Sequence, residues 1–204
     1  AMPCSDIIVV VMAAGQSSRF GSDKRVARFD NGETLLSSTL RTIQKNFTNS
    51  RVVIKPEDNA QSLGLSPTHH TIISQRSYLG LGYSISDAFR QLCSDESVHH
   101  YRAAAVWLAD LPWISEETCS VLTKMASPDR IIQPLHQGNP GHPVVFGRKF
   151  WSELALLEND KGANTVIKKH SDCVIYVSLS DPGVCSDVDY PDDLIKQQRK
   201  TKGI

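Results

Sequence analysis

Hydrophobic positions along this chain fall into short apolar or β-branched runs separated by longer amphipathic stretches. The runs are Ile7 to Met12, Arg51 to Lys55, Thr71 to Ile73, Ala103 to Leu108, Arg130 to Gln133, Pro143 to Phe146 and Cys173 to Val177. Their length and composition predict strands. Leu35 to Phe47, Tyr83 to Leu92, Ser115 to Met125, Lys149 to Leu157 and Gly162 to His170 carry their apolar residues at helical spacing and predict helices. Alternation of this kind predicts an α/β fold, a single doubly wound, mostly parallel sheet with helices on both faces. No repeat, low-complexity segment or long linker divides the chain, so residues 1–204 read as one domain. In such sheets ligands bind beyond the carboxyl ends of the strands, where the strand order reverses. Polar residues just after strands are therefore the ones that bear on function.

Composition narrows the partners. The 22 basic and 22 acidic residues cancel, which removes the electrostatic case for nucleic acid or an anionic membrane surface. A charged ligand then needs a local site. Cys4, Cys93, Cys119, Cys173 and Cys185 are odd in number and lack C-x-x-C spacing, which argues against a disulfide framework or a zinc site and for a reducing, cytoplasmic setting. The pairs His69–His70 and His99–His100 lack helical spacing with a third ligand and read as surface residues. Ile7 to Ala14 is too short to cross a membrane and follows Asp6 rather than a basic region, so it reads as a buried strand, not a signal peptide.

That strand runs into "MAAGQSSRFGSDK", residues 12–24, the position where α/β proteins bind phosphates. A P-loop is excluded by spacing, because Gly15 and Gly21 are one residue too far apart and Lys24 comes too late. A dinucleotide fingerprint needs a third glycine. What remains is either a surface loop with solvated cations or an anion-cradling loop, in which small residues admit a triphosphate and Arg19 and Lys24 supply charge.

The stretch resembles the signature L-A-A-G-x-S-x-R-M-G-x-x-K of the MobA-like nucleotidyltransferases that act on molybdenum cofactor, with Phe20 in the methionine position. "ADLPWIS" (109–115), "GNPGHPVVF" (138–146), "ENDKGAN" (158–164) and "DVDYPDDL" (187–194) are similar, in the same order, to further motifs of that family. Ala13–Ala14 before Gly15 resembles the cytidylyltransferase branch rather than the guanylyl one. The resemblance implies transfer of CMP from CTP to molybdopterin with release of pyrophosphate, and magnesium as cofactor. It implies a nucleotide site at Ala13, Ala14, Gly15, Ser17, Ser18, Arg19 and Lys24. Gly80, Gly82 and Ser84 of "LGLGYS" would lie beside the base. Lys24, Arg19 and Asp110 would be catalytic, with Lys24 near the reacting phosphate and Arg19 on the outer ones.

Asp110 follows the strand Ala103 to Leu108 and is a candidate magnesium ligand. Asp187 and Asp189 are two residues apart and point the same way if extended; the pattern does not separate them as the second ligand. Asp192 and Asp193 follow Pro191 and read as first-turn helix residues. The acceptor site would be Gly141, His142 and Asn164. The chain departs from the family at Pro140 and Asn164, where arginines are expected, and at Tyr83, where a small residue is expected and a bulky ring facing the base would disfavour a purine. Two alternatives follow: another phosphorylated acceptor, or use of GTP. A third is a non-catalytic accessory protein that hands cofactor to a molybdoenzyme partner.

Overall fold

A computed structural model of the chain describes residues 2–16, 20–188 and 191–195. Ser17, Ser18, Arg19 and Asp189 lie outside the described residues. Eight described strands form one sheet: β1 (Cys4–Met12), β2 (Phe47–Ile54), β3 (Thr71–Ile73), β4 (Ala103–Leu108), β5 (Ile131–His136), β6 (Asn139–Pro140), β7 (Val144–Gly147) and β8 (Val174–Ser178). The helices among them are α1 (Leu35–Asn46), α2 (Leu81–Ser94), α3 (Glu116–Met125), α4 (Trp151–Leu154) and α5 (Asn164–Lys169). The strand order is β3-β2-β1-β4-β7-β5-β6, with β8 also paired to β5. Strand β7 is antiparallel to β4 and β5, β6 is antiparallel to β5, and the other pairings are parallel. The order reverses between β1 and β4.

Strand β1 shows why the sheet is covered on both faces. Ile7, Val9 and Val11 pack into one apolar cluster with Leu36, Leu40 and Leu122 from α1 and α3. Ile8, Val10 and Met12 alternate into a second with Ile85, Phe89 and Leu154 from α2 and α4. A strand buried on both sides needs a continuous apolar run, and β1 has one. The helices start at chemical signals in the sequence. Thr34 Oγ1 accepts from the Ser37 amide ahead of α1, and Ser115 Oγ accepts from the Thr118 amide ahead of α3, filling donors the first turn leaves open.

The structure departs from the pattern in several places. Strand β2 begins at Phe47, directly after α1, rather than at Arg51. Helix α2 begins at Leu81 rather than Tyr83, because Gly80 takes φ +121° and turns the chain into the helix. The expected helix from Lys149 to Leu157 is a short α4 flanked by tighter turns, with the Leu156 and Leu157 amides bonded to carbonyls three residues back. Strand β6 is new. Gln137 (φ 51°) and Gly138 (φ 79°) form the left-handed pair that a two-residue hairpin between β5 and β6 requires.

The turn after β4 is fixed from three sides. Trp107 Nε1 donates to Leu111 O at 2.9 Å, Thr39 Oγ1 to Ala109 O at 2.6 Å and Thr42 Oγ1 to Pro112 O at 2.9 Å. Trp107 is fully buried, so Trp107→Ala opens a cavity and frees the turn. The expected loss is about 3–5 kcal/mol of stability, read by urea denaturation; a loss below about 1 kcal/mol contradicts this packing role.

Candidate active site

Because the strand order reverses between β1 and β4, the loops leaving their carboxyl ends diverge and open a crevice. A cavity of about 330 Å³ occupies it. Ala13, Ala14 and Gly15 line it from the end of β1, Asp110 from the end of β4, and Lys24, Gly80 and Ser84 from the loops around it. Seven residues expected at the nucleotide or metal site therefore meet in one place. Among the described residues, a Cβ built on Gly15 would meet no atom within 4 Å.

Lys24 Nζ donates to Asp110 Oδ2 at 2.8 Å and to Val188 O at 2.7 Å. Both side chains are largely shielded, 19% and 14% exposed. The Val188 contact brings the segment carrying Asp187 alongside, and a small apolar cluster explains how: Phe20, Phe29, Leu35, Val188 and Leu194 pack together, tying the opening loop to the end of the chain. Asp187 itself is exposed. Residues 191–195 are helical, so Asp192 and Asp193 lie in a first turn as expected.

Arg25, which sequence reasoning passed over, is the best-anchored charge at the site. Its Nε donates to Asp23 Oδ1 at 2.9 Å and its Nη2 to Asp23 Oδ2 at 2.9 Å and Asp58 Oδ1 at 2.8 Å. Its Nη1 donates to Asp58 Oδ2 at 2.6 Å and Ala13 O at 2.9 Å. All five guanidinium donors are used. They hold together the loops after β1 and β2 and the turn that presents Lys24. Hydrogen bonds from Arg25 hold the Asp23 carboxyl below its ordinary range. Burial alone would raise Asp58, but the bonds from Arg25 outweigh it and Asp58 too is lowered. The signal in the sequence was faint: a cation next to Lys24, with its second carboxylate partner 33 residues away.

The "LGLGYS" stretch needs correction. Leu79 ends a short 3-10 turn, Gly80 caps α2 and only residues 81–84 form its first turn, and a Cβ on Gly82 would fall 2.2 Å from Asn159 O. A Cβ on Gly80 would fall 2.6 Å from Asp160 Cα. Both glycines thus make room for the chain's own 158–162 loop. Tyr83 does not supply a wall against a purine, because the Arg76 guanidinium lies over its ring, 5.3 Å from the centroid. Tyr78, 74% exposed, lines the cavity instead.

A second cavity of about 310 Å³ adjoins the first and shares Leu81 and Leu108 with it. Gly141, His142 and Asn164, the expected acceptor residues, all line it. A Cβ on Gly141 would fall 2.5 Å from Val184 O, so glycine is needed there. Burial pushes the His142 imidazole down to about 4, leaving it neutral near pH 7, a donor or acceptor of hydrogen bonds and not a cation.

Residues 9–174 match the model of the MobA-like NTP transferase domain. The chain belongs to that family. It is a nucleotidyltransferase, and the opening loop, Asp110 and the Gly141–His142 wall fall within the matched region. No curated protein matches the chain by sequence. Among solved structures, a homolog of Mycobacterium tuberculosis rv0371c from Mycobacterium sp. strain JC1 superposes with TM-score 0.79 at 23% identity over 96% of each chain. A nucleotidyl transferase from Methanothermobacter thermautotroptrophicus gives TM-score 0.77 at 15% identity over 95% of this chain and 96% of its own. Molybdopterin-guanine dinucleotide biosynthesis protein A from Archaeoglobus fulgidus gives 0.69 at 18% over 97% and 100%. At these identities the likeness establishes the fold. No described helix is long and apolar enough to cross a membrane.

Two expectations follow. Arg25→Ala leaves two carboxylates facing each other without their cation and should cost roughly 3–5 kcal/mol; Arg25→Lys should recover only part of this, having three donors in place of five. Chemical denaturation measures both, and a near-neutral Arg25→Ala contradicts the clamp. His142 takes up its proton in the unfolded chain near 6.5 but in the fold only near 4. Stability is therefore fully present above about 6.5 and falls as the pH drops toward 4, by up to about 3 kcal/mol. His142→Asn should flatten that slope; an unchanged slope in the variant contradicts the assignment.

Proposed function

We propose that the enzyme transfers CMP from CTP to molybdopterin with release of pyrophosphate, using magnesium. The observation that carries this is the pair of adjoining cavities with Lys24 and Asp110 in one and Gly141, His142 and Asn164 in the other. One cavity has the charge and open backbone a triphosphate needs; the other adjoins it across Leu81 and Leu108. In the transfer, a phosphate oxygen of the acceptor bonds to the α-phosphorus of CTP. The bond to the bridging oxygen breaks, and pyrophosphate departs with the electron pair. A phosphate nucleophile is already ionised at neutral pH, so no general base is required.

The donor set at Asp110 fits magnesium. It is a hard carboxylate at a strand end, and its Oδ1 makes no hydrogen bond to a described residue. Magnesium takes one or two carboxylates and completes its shell with phosphates and water. Among the described residues no group of three or more His, Cys, Asp or Glu gathers for a metal. Asp110 would hold it, with Asp189 or Asp187 as the second carboxylate, and when bound it would neutralise phosphate charge. Lys24 is held against Asp110 until a triphosphate offers its ammonium a stronger partner. It then turns to the phosphates, while Ser17, Ser18 and Arg19 would take the outer ones.

CTP over GTP rests on Ala13–Ala14, since Tyr83 faces Arg76. The acceptor has a second reading. Lys161 is the only Lys or Arg among the described residues lining the second cavity, and Pro140 and Asn164 sit on its wall in place of arginines. That observation favours a phosphorylated acceptor less charged than molybdopterin. The accessory-protein alternative gains nothing from the Lys24–Asp110 pair, which a pure binder does not need.

Pyrophosphate release from CTP, GTP, ATP and UTP, with and without molybdopterin, tests the proposal. CTP with molybdopterin should be the productive pair. Asp110→Asn should abolish turnover without lowering the melting temperature, and Lys24→Ala should lose roughly 2–4 kcal/mol of transition-state stabilisation. Preferred turnover of GTP contradicts the donor assignment. Release from CTP only with some other phosphorylated acceptor contradicts molybdopterin.

A further inference from the structure

Gln133 is a buried polar residue at the centre of an apolar strand, and the chain makes incomplete use of it. It is 4% exposed and lines the second cavity. Its Nε2 donates to Pro134 O at 2.8 Å and to Gly141 O at 2.9 Å. Both neighbours are carbonyls, so the amide nitrogen must face them, and that settles which end is oxygen. Both N–H groups are then used, and Oε1 has no hydrogen-bond partner among the described residues. It is not sealed in the core either, since no side-chain polar atom of the described residues is both buried and unpartnered. It therefore opens on the cavity. Nearby, the His142 ring has no hydrogen-bond partner among the described residues, and Leu81, Leu108 and further apolar side chains form the remaining wall.

Water in the cavity can donate to this oxygen, but a ligand that displaces the water without bringing a donor leaves it buried and unpaired at a cost of about 1–3 kcal/mol. Fixed by two bonds behind it, the Gln133 carbonyl is aimed and cannot rotate away. A second carbonyl or a carboxylate placed against it would be repelled. We propose that Gln133 is a specificity residue of the second cavity, accepting a hydrogen bond from an N–H or O–H group on the uncharged head of the acceptor. The proposal rests on the reading of this cavity as the acceptor site, and it adds a requirement: the acceptor's head, away from its phosphate, is neutral, mostly apolar in surface and carries a donor at its edge.

Matched probes test this on the full chain. 4-Aminophenyl phosphate and 4-methylphenyl phosphate differ in a donor against a methyl of similar size, and a wholly apolar wall favours the methyl compound. Calorimetric titration should show the amino compound binding at least about fivefold more tightly to the wild type, and Gln133→Met should shift the preference to the methyl compound. The wild-type ratio is decisive without the variant, should Gln133→Met fold poorly. Equal or tighter binding of the methyl compound overturns the proposal, as does no binding of either, or a ratio unchanged in a folded Gln133→Met. Magnesium–CTP titrated into the same samples separates the two claims. If CTP binds and the amino preference is missing, the role of Gln133 fails alone. If the wild type does not bind CTP, the nucleotidyltransferase reading of the site fails as well.

Discussion

The ion pair between Lys24 and Asp110 joins the two loops that leave the sheet on either side of its reversal, 86 residues apart in sequence. Each partner is fixed from behind. Asp110 stands on a turn whose carbonyls are held by Trp107, Thr39 and Thr42. Lys24 follows Asp23, whose carboxylate is locked to Arg25. The side chains can therefore change partners while the backbone that carries them stays in place. Preorganised charge of this kind is the largest resource available to a reaction between two anions.

The two cavities divide the electrostatic work. The first gathers its charge around Lys24, Asp110 and the Arg25 clamp, where the proposed transfer would hold a triphosphate and its counter-ion. The second is nearly neutral: His142 is kept uncharged by burial, Lys161 is its single described cation, and its most deeply placed polar group is an amide. A site built this way discriminates by hydrogen-bond pattern and shape. Rejecting a ligand that cannot satisfy a buried polar group is worth more than admitting one extra methylene.

Much of this was legible in the sequence, for identifiable reasons. The strands and the principal helices announced themselves through burial on both sheet faces and through capping residues such as Thr34 and Ser115. Gly15, Lys24 and Asp110 stood out because small or charged residues follow apolar strands there. What the sequence hid was long-range pairing. Arg25 draws no notice until Asp58 is brought to it, and Tyr83 reads as a wall of the base site until Arg76 is placed over its ring. Gln133 reads as the end of a strand until β6 delivers the Gly141 carbonyl to its amide. Gly80 lines the first cavity as expected, but the need for glycine at 80 and 82 comes from the close approach of Asp160 and Asn159, which the sequence pattern does not show.

A crystal structure of the enzyme with magnesium and a non-hydrolysable CTP analogue tests the central claim most directly. The account requires the triphosphate along residues 13–24, the metal on Asp110, and the Lys24 ammonium moved from the carboxylate to the phosphates. A nucleotide bound elsewhere, or one bound there with the Lys24–Asp110 pair intact and no metal on Asp110, would contradict it.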